Sequence, residues 1–204
     1  KAALSYFNEA IDTDPTHVRA RLNRASIHMA SGNAQGALDD SNVLLELAPG
    51  LALAKLRRAE ANMMLSNWND SETDLKQIVE DAPHHYHALT QLAACYISME
   101  RPEKAEAPLN EALRLAPDHT DAWHQRGLLY LDWGREEAAL NDFEAAVRCN
   151  GNHLDARLHI AAIHHEAGRF VEASGAWKGV LAIEPDHTVA RRRREECDMA
   201  LATM

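Results

Sequence analysis

Small and apolar residues recur along this chain with a period of 34. Ala25, Ala59, Ala93, Gly127 and Ala161 form one series, and Ala3, Ala37, Ser71, Ala105, Ala139 and Ala173 form a second. A third, Ala10, Leu44, Ile78, Ala112, Ala146 and Val180, is apolar throughout. A small side chain lets two helix backbones approach closely, so each small series predicts a helix crossing. The apolar series belongs to the second helix of each unit. Each period of 34 therefore predicts two antiparallel helices, and the chain is all-α.

The punctuation keeps the same beat. Pro15, Pro49, Pro83 and Pro117 are spaced by 34, Pro185 lies two periods further on, and Gly151 fills the slot between. A fresh helical pattern follows each, which makes these the turns between units. Gly32, Gly134 and Gly168 fall where the first helix must stop and turn, as a C-terminal cap glycine does. Pro102 falls in a first turn, which tolerates it. Pro108 falls inside a second helix, where a missing N–H predicts a kink.

A two-helix repeat of 34 residues with a proline stop resembles the tetratricopeptide repeat (TPR). The fullest match is 120–153, with Trp123, Gly127, Tyr130, Gly134, Ala139, Phe143 and Ala146 in the family's places. The resemblance implies a helix-turn-helix solenoid wound as a right-handed superhelix. Residues 1–17 are then the second helix of a truncated repeat. Five full repeats follow (18–51, 52–85, 86–119, 120–153 and 154–187), and 188–204 form a capping helix. A lone second helix at the front predicts either further repeats upstream or a neighbouring chain. Self-association through that half repeat is a further expectation, with the capping helix of another copy as the substitute partner.

Two repeats depart from the family pattern. In place of tryptophan, leucine and tyrosine, 18–51 carries Arg21, Arg24 and His28, and 52–85 carries Lys55, Arg58 and Asn62. Long basic stems can cover apolar surface, but these units are expected to pack less tightly.

TPR proteins bind peptides or partner helices in a concave groove lined by first-helix side chains. Carried onto this chain, that lining comprises Arg19, Asn23, Met29, Arg57, Met63, Met64, His87, Thr90 and Gln91 in the earlier repeats. In the later repeats it comprises Asp121, His124, Gln125, Asp132, Asp155, His159, His165 and Glu166. The methionines suit adaptable apolar contact. Asn23, Arg57, Gln91, Gln125 and His159 recur at one groove position and could hydrogen-bond an extended backbone. The implied function is a protein–protein scaffold or adaptor whose partner is another protein. The alternative is a co-chaperone module that captures the C-terminal carboxylate of a heat-shock chaperone. Asn23 and Arg57 match that family's carboxylate clamp, while Leu53 stands in place of its lysine.

Composition narrows the remaining classes. A net charge of -10 argues against nucleic acid, which wants a basic surface. No run is long and apolar enough to insert into a membrane. Cys95, Cys149 and Cys197 are sparse and odd in number, which fits a reducing, cytoplasmic location. Catalysis needs a nucleophile, a base and an orienting group, and no motif supplies them, so neither enzyme activity nor a cofactor is expected. His85, His119, His153 and His187 recur in the turns, roughly a helix diameter apart (~8–10 Å). Ligands sharing one metal ion must all lie within ~2.0–2.1 Å of it, which this spacing does not allow. The four consecutive arginines Arg191 to Arg194 point around most of a helix circumference, and read as a solvated face.

Overall fold

The computed structural model describes residues 2–203. Among them are twelve α-helices: α1 (Ala2–Thr13), α2 (Val18–Ala30), α3 (Ala34–Leu47), α4 (Ala52–Met64), α5 (Trp68–Asp81), α6 (Tyr86–Ser98), α7 (Glu106–Leu115), α8 (Thr120–Asp132), α9 (Glu136–Cys149), α10 (Leu154–Glu166), α11 (Phe170–Ile183) and α12 (Thr188–Ala202). The chain divides into two compact units between Pro108 and Leu109, near the start of α7.

In the first unit each helix packs on the next from α1 to α6, and α2 also touches α4, as α4 touches α6. Ala25, Ala37, Leu44, Ala59, Leu75, Ile78 and Ala93 are fully or almost fully buried at these crossings. The second unit repeats the scheme through α8 to α12. Its core holds Ala139, Phe143, Ala146 and Ile163, then Ala161, Trp177, Val180, Ala190 and Cys197. Gly127 answers the large ring in that core, because a Cβ there would lie 2.7 Å from Cε1 of Phe143.

Two devices set the ends of the first helices. His17, His85, His153 and His187 precede α2, α6, α10 and α12, and each Nδ1 accepts the N–H of the residue three further on. These turn histidines are N-caps, each satisfying a backbone donor that a helix start leaves open. At the other end, Gly32, Gly134 and Gly168 take left-handed φ values of 76, 68 and 70°. Asn33, Arg135 and Arg169 then donate their backbone N–H back to His28, Tyr130 and His164, which closes the turn. Ser66 and Glu100 occupy the same place with φ of 61 and 58°, and carry the strain that glycine avoids.

The expected mid-helix kink at Pro108 is corrected. The second helix of that repeat opens as a 3-10 turn at Pro102–Lys104, and the α-helix begins only at Glu106. Pro108 thus sits in a first turn, where its missing N–H costs no intrahelical bond.

Arginine also proves able to take the tryptophan's place. Trp123 donates its indole N–H to the Pro117 carbonyl, 2.8 Å away. Arg21, Arg157 and Arg191 donate at 2.8–3.0 Å to the carbonyls of Pro15, Gly151 and Pro185, again six residues back. Lys55 instead reaches Asp81 at 3.4 Å.

Candidate protein-binding face

In the first unit, the first-helix face is carried by α2, α4 and α6. Arg19 and Asn23 are exposed, and line a cleft shared with Tyr6, Phe7 and His17. Met29 and Met63 are half-buried, and Met64 is exposed. By the same register Leu53 and Ile97 also stand exposed on this face. Gln91 is half-buried, whereas Thr90 is buried and donates its hydroxyl to the Tyr86 carbonyl, so it does not line the face.

Arg57 is engaged from within. Its guanidinium pairs with Glu60 at 2.6 Å, and Nε2 of His87 lies 3.4 Å from the other oxygen of that carboxylate. Burial raises the Glu60 carboxyl, but hydrogen bonds from His87 and Arg57 outweigh it and hold the group below its ordinary range. A carboxylate arriving at Arg57 would therefore meet an existing negative charge.

In the second unit the corresponding face belongs to α8, α10 and α12. His124 lies 4.7 Å from His153 and 5.7 Å from His159, ring centre to ring centre. His159 stacks on Phe143 at 4.7 Å with the planes 14° apart. Burial pushes His124 down to about 4, helped by the neighbouring His153 and His159. Burial also lowers His159, against the pull of Asp155. Nε2 of His124 and Oε1 of Gln125 are buried atoms without a hydrogen-bond partner among the described residues. Asp121, Asp132, Asp155 and Glu166 are exposed along the same face. His165 is turned inward, with Nδ1 3.2 Å from Sγ of Cys197 and Nε2 3.7 Å from Glu196.

Each arginine of the run has a carboxylate partner. Arg191 pairs with Asp186, Arg192 and Arg193 with Glu196, and Arg194 with Asp198, at 3.1–3.6 Å. Among the described residues, no group of three or more His, Cys, Asp or Glu is placed to hold a metal ion. No helix among them is long and apolar enough to cross a membrane.

One recurring constellation escaped the sequence reading. Arg24, Arg58 and Arg126 each grip an aspartate sixteen residues later through two bonds, Asp40 at 2.6 and 2.8 Å, Asp74 at 2.7 Å twice, and Asp142 at 2.7 and 2.8 Å. Each also donates to an asparagine sixteen residues earlier: Asn8, Asn42 and Asn110. The aspartates are buried and fully answered, which makes these triads internal ties between hairpins. The signal lay in the sequence: where Arg gives way to Leu92 or Ile160, Asp gives way to Pro108 or Ala176, and Asn to Lys76 or Glu144.

Paired helices at a fixed 34-residue spacing, packed hairpin on hairpin within each unit, define a helical-repeat protein. The tetratricopeptide repeat pattern matches residues 1–52, 56–120 and 92–159, more than half of the sequence, and the chain belongs to the tetratricopeptide repeat family. No curated protein sequence matches it.

Solved structures agree on the fold. TTC0263, a thermophilic TPR protein of Thermus thermophilus, is 22% identical with a TM-score of 0.71, over 89% of this chain and 99% of that one. YrrB, described as a TPR protein with an unusual peptide-binding site, is 20% identical with a TM-score of 0.65, over 93% and 97%. The Cut9–Hcn1 hetero-tetramer of the APC/C gives a TM-score of 0.80 at 17% identity, over 95% of this chain and 38% of that one.

Proposed function

We propose that this chain is a non-catalytic adaptor that holds a peptide or helix of another protein against its first-helix face. The supporting observation is that six of the twelve large apolar side chains exposed among the described residues fall there. Leu53, Met64 and Ile97 in the first unit, and Leu128, Val189 and Met199 in the second, all lie on that face. Apolar surface of this kind, rimmed by polar groups, is what partner binding uses. The chain's three cysteines are unpaired, which supports a reducing, cytoplasmic setting. We further propose that the α1 face, where Tyr6 is exposed, supports self-association; a strictly monomeric mass by light scattering at high concentration contradicts this.

Capture of a chaperone's terminal carboxylate is the competing reading. Asn23 and Arg57 favour it, while Leu53 and the Glu60–Arg57 pair oppose it. A pull-down from the source cell with Asn23→Ala and Arg57→Ala separates the two. Release of a chaperone by both substitutions supports the carboxylate reading; partners indifferent to both support the adaptor.

A further inference from the structure

From the geometry around Arg58 we infer a receptor site for a tyrosine side chain of a partner protein. The reasoning is an internal comparison of two triads. Arg126 is roofed by aromatic rings, its guanidinium 4.9 Å from the Trp123 ring and 5.6 Å from the Tyr130 ring. The equivalent places beside Arg58 hold Lys55 and Asn62, and Lys55 turns away to Asp81. A cleft of about 300 Å³ is left, lined by Leu38, Asn42, Arg58, Asn62, Asp70 and Asp74 among others.

Two measures show Arg58 to be the open member of the set. Its side chain is 32% exposed, against 20% for Arg24 and 17% for Arg126. Its bond to asparagine stretches to 3.4 Å, where the other two are 2.9 and 2.7 Å. Asp74 still fixes the guanidinium through two bonds, so the cation is held rigid while about a third of its side chain stays open to solvent. A rigid, partly desolvated arginine attracts the face of an aromatic ring. In the first repeat Arg21 also reaches Asp40, so that triad carries a second cation.

The second unit shows what fills this space when the chain supplies it, namely a tyrosine ring at Tyr130. The rim here is polar, with Asn67, Asp70 and Thr73, and accepts a phenol hydroxyl better than a purely apolar ring. Only the source of the ring, a partner protein, rests on the adaptor reading; binding of the ring itself does not.

The test is a titration of the ¹⁵N-labelled full chain with N-acetyl-tyrosinamide, using N-acetyl-leucinamide as control. Saturable shifts are expected at the Arg58 Nε–H and at the side-chain amides of Asn62 and Asn67, with the leucine probe at least tenfold weaker. Asn62→Tyr should fill the cleft and abolish those shifts. The double variant Arg58→Ile with Asp74→Ala, copying Ile160 and Ala176, should abolish them without leaving a buried charge. Absence of saturable shifts, equal response to the leucine probe, or shifts that survive in both variants overturns the proposal. Because the probe reads this cleft alone, failure here leaves the first-helix face to stand or fall on the pull-down.

Discussion

Arg126 of α8 and Asp142 of α9 meet in a two-point ion pair, at 2.7 and 2.8 Å, with the aspartate only 5% exposed. The same bond ties α2 to α3 and α4 to α5. Removing one partner strands a buried charge, so Arg126→Ala is expected to cost about 3–5 kcal/mol. Arg126→Ile with Asp142→Ala, the residues found one repeat later, is expected to recover most of it. Denaturant unfolding measures both; a single substitution costing under ~1 kcal/mol contradicts the structural role.

Ser66 and Glu100 hold the left-handed turn that Gly32, Gly134 and Gly168 hold without strain. Ser66→Gly and Glu100→Gly should each stabilise the first unit by about 0.5–1 kcal/mol, as the relief of the Cβ clash outweighs the extra freedom of the unfolded chain. Thermal melting of each variant reads this directly. A lowered melting temperature in both contradicts it.

Gly127 marks a tight crossing for a different reason. A methyl group there would press on the Phe143 ring at 2.7 Å, in a fully buried site. Gly127→Ala is expected to destabilise by about 1–3 kcal/mol. Shrinking the ring in Gly127→Ala/Phe143→Leu copies Ala59 with Leu75, and should restore part of the loss in the same unfolding assay.

Acid should weaken the second unit through His124. The folded state holds this imidazole at about 4 against an ordinary 6.5, so the unfolded chain takes up the proton first as pH falls. Its contribution is therefore complete above ~6.5 and lost as pH drops through about 4. Allowing for its partial exposure, the loss is on the order of 1–2 kcal/mol. His124→Gln, which carries no titrating ring, should flatten that part of the stability profile; an identical profile contradicts the assignment.

The helices were legible because their signals are local and periodic. Ala25, Ala59 and Ala93 announce crossings, and Gly32 announces a left-handed stop, each through a property of its own side chain. The triads were harder to read because Arg24 and Asp40 sit on different helices and neither breaks a local rule alone. Only their shared sixteen-residue spacing, and their joint loss at Ile160 and Ala176, carries the message. Pro108 was misplaced because helix starts depend on what Pro102 does to the preceding turn. The engagement of Arg57 by Glu60 was invisible for a further reason. Groove position fixes which face a side chain is on, but not which neighbour it pairs with.

The most direct measurement of partner binding through the first-helix face is quantitative affinity capture from the source cell. The chain is compared with Leu53→Glu/Met64→Glu on that face, and with Val171→Glu, a still more exposed apolar residue off it. The account predicts that captured partners fall at least tenfold in the double variant and hold in the control. Equal capture by all three would contradict it, and would place recognition on another surface.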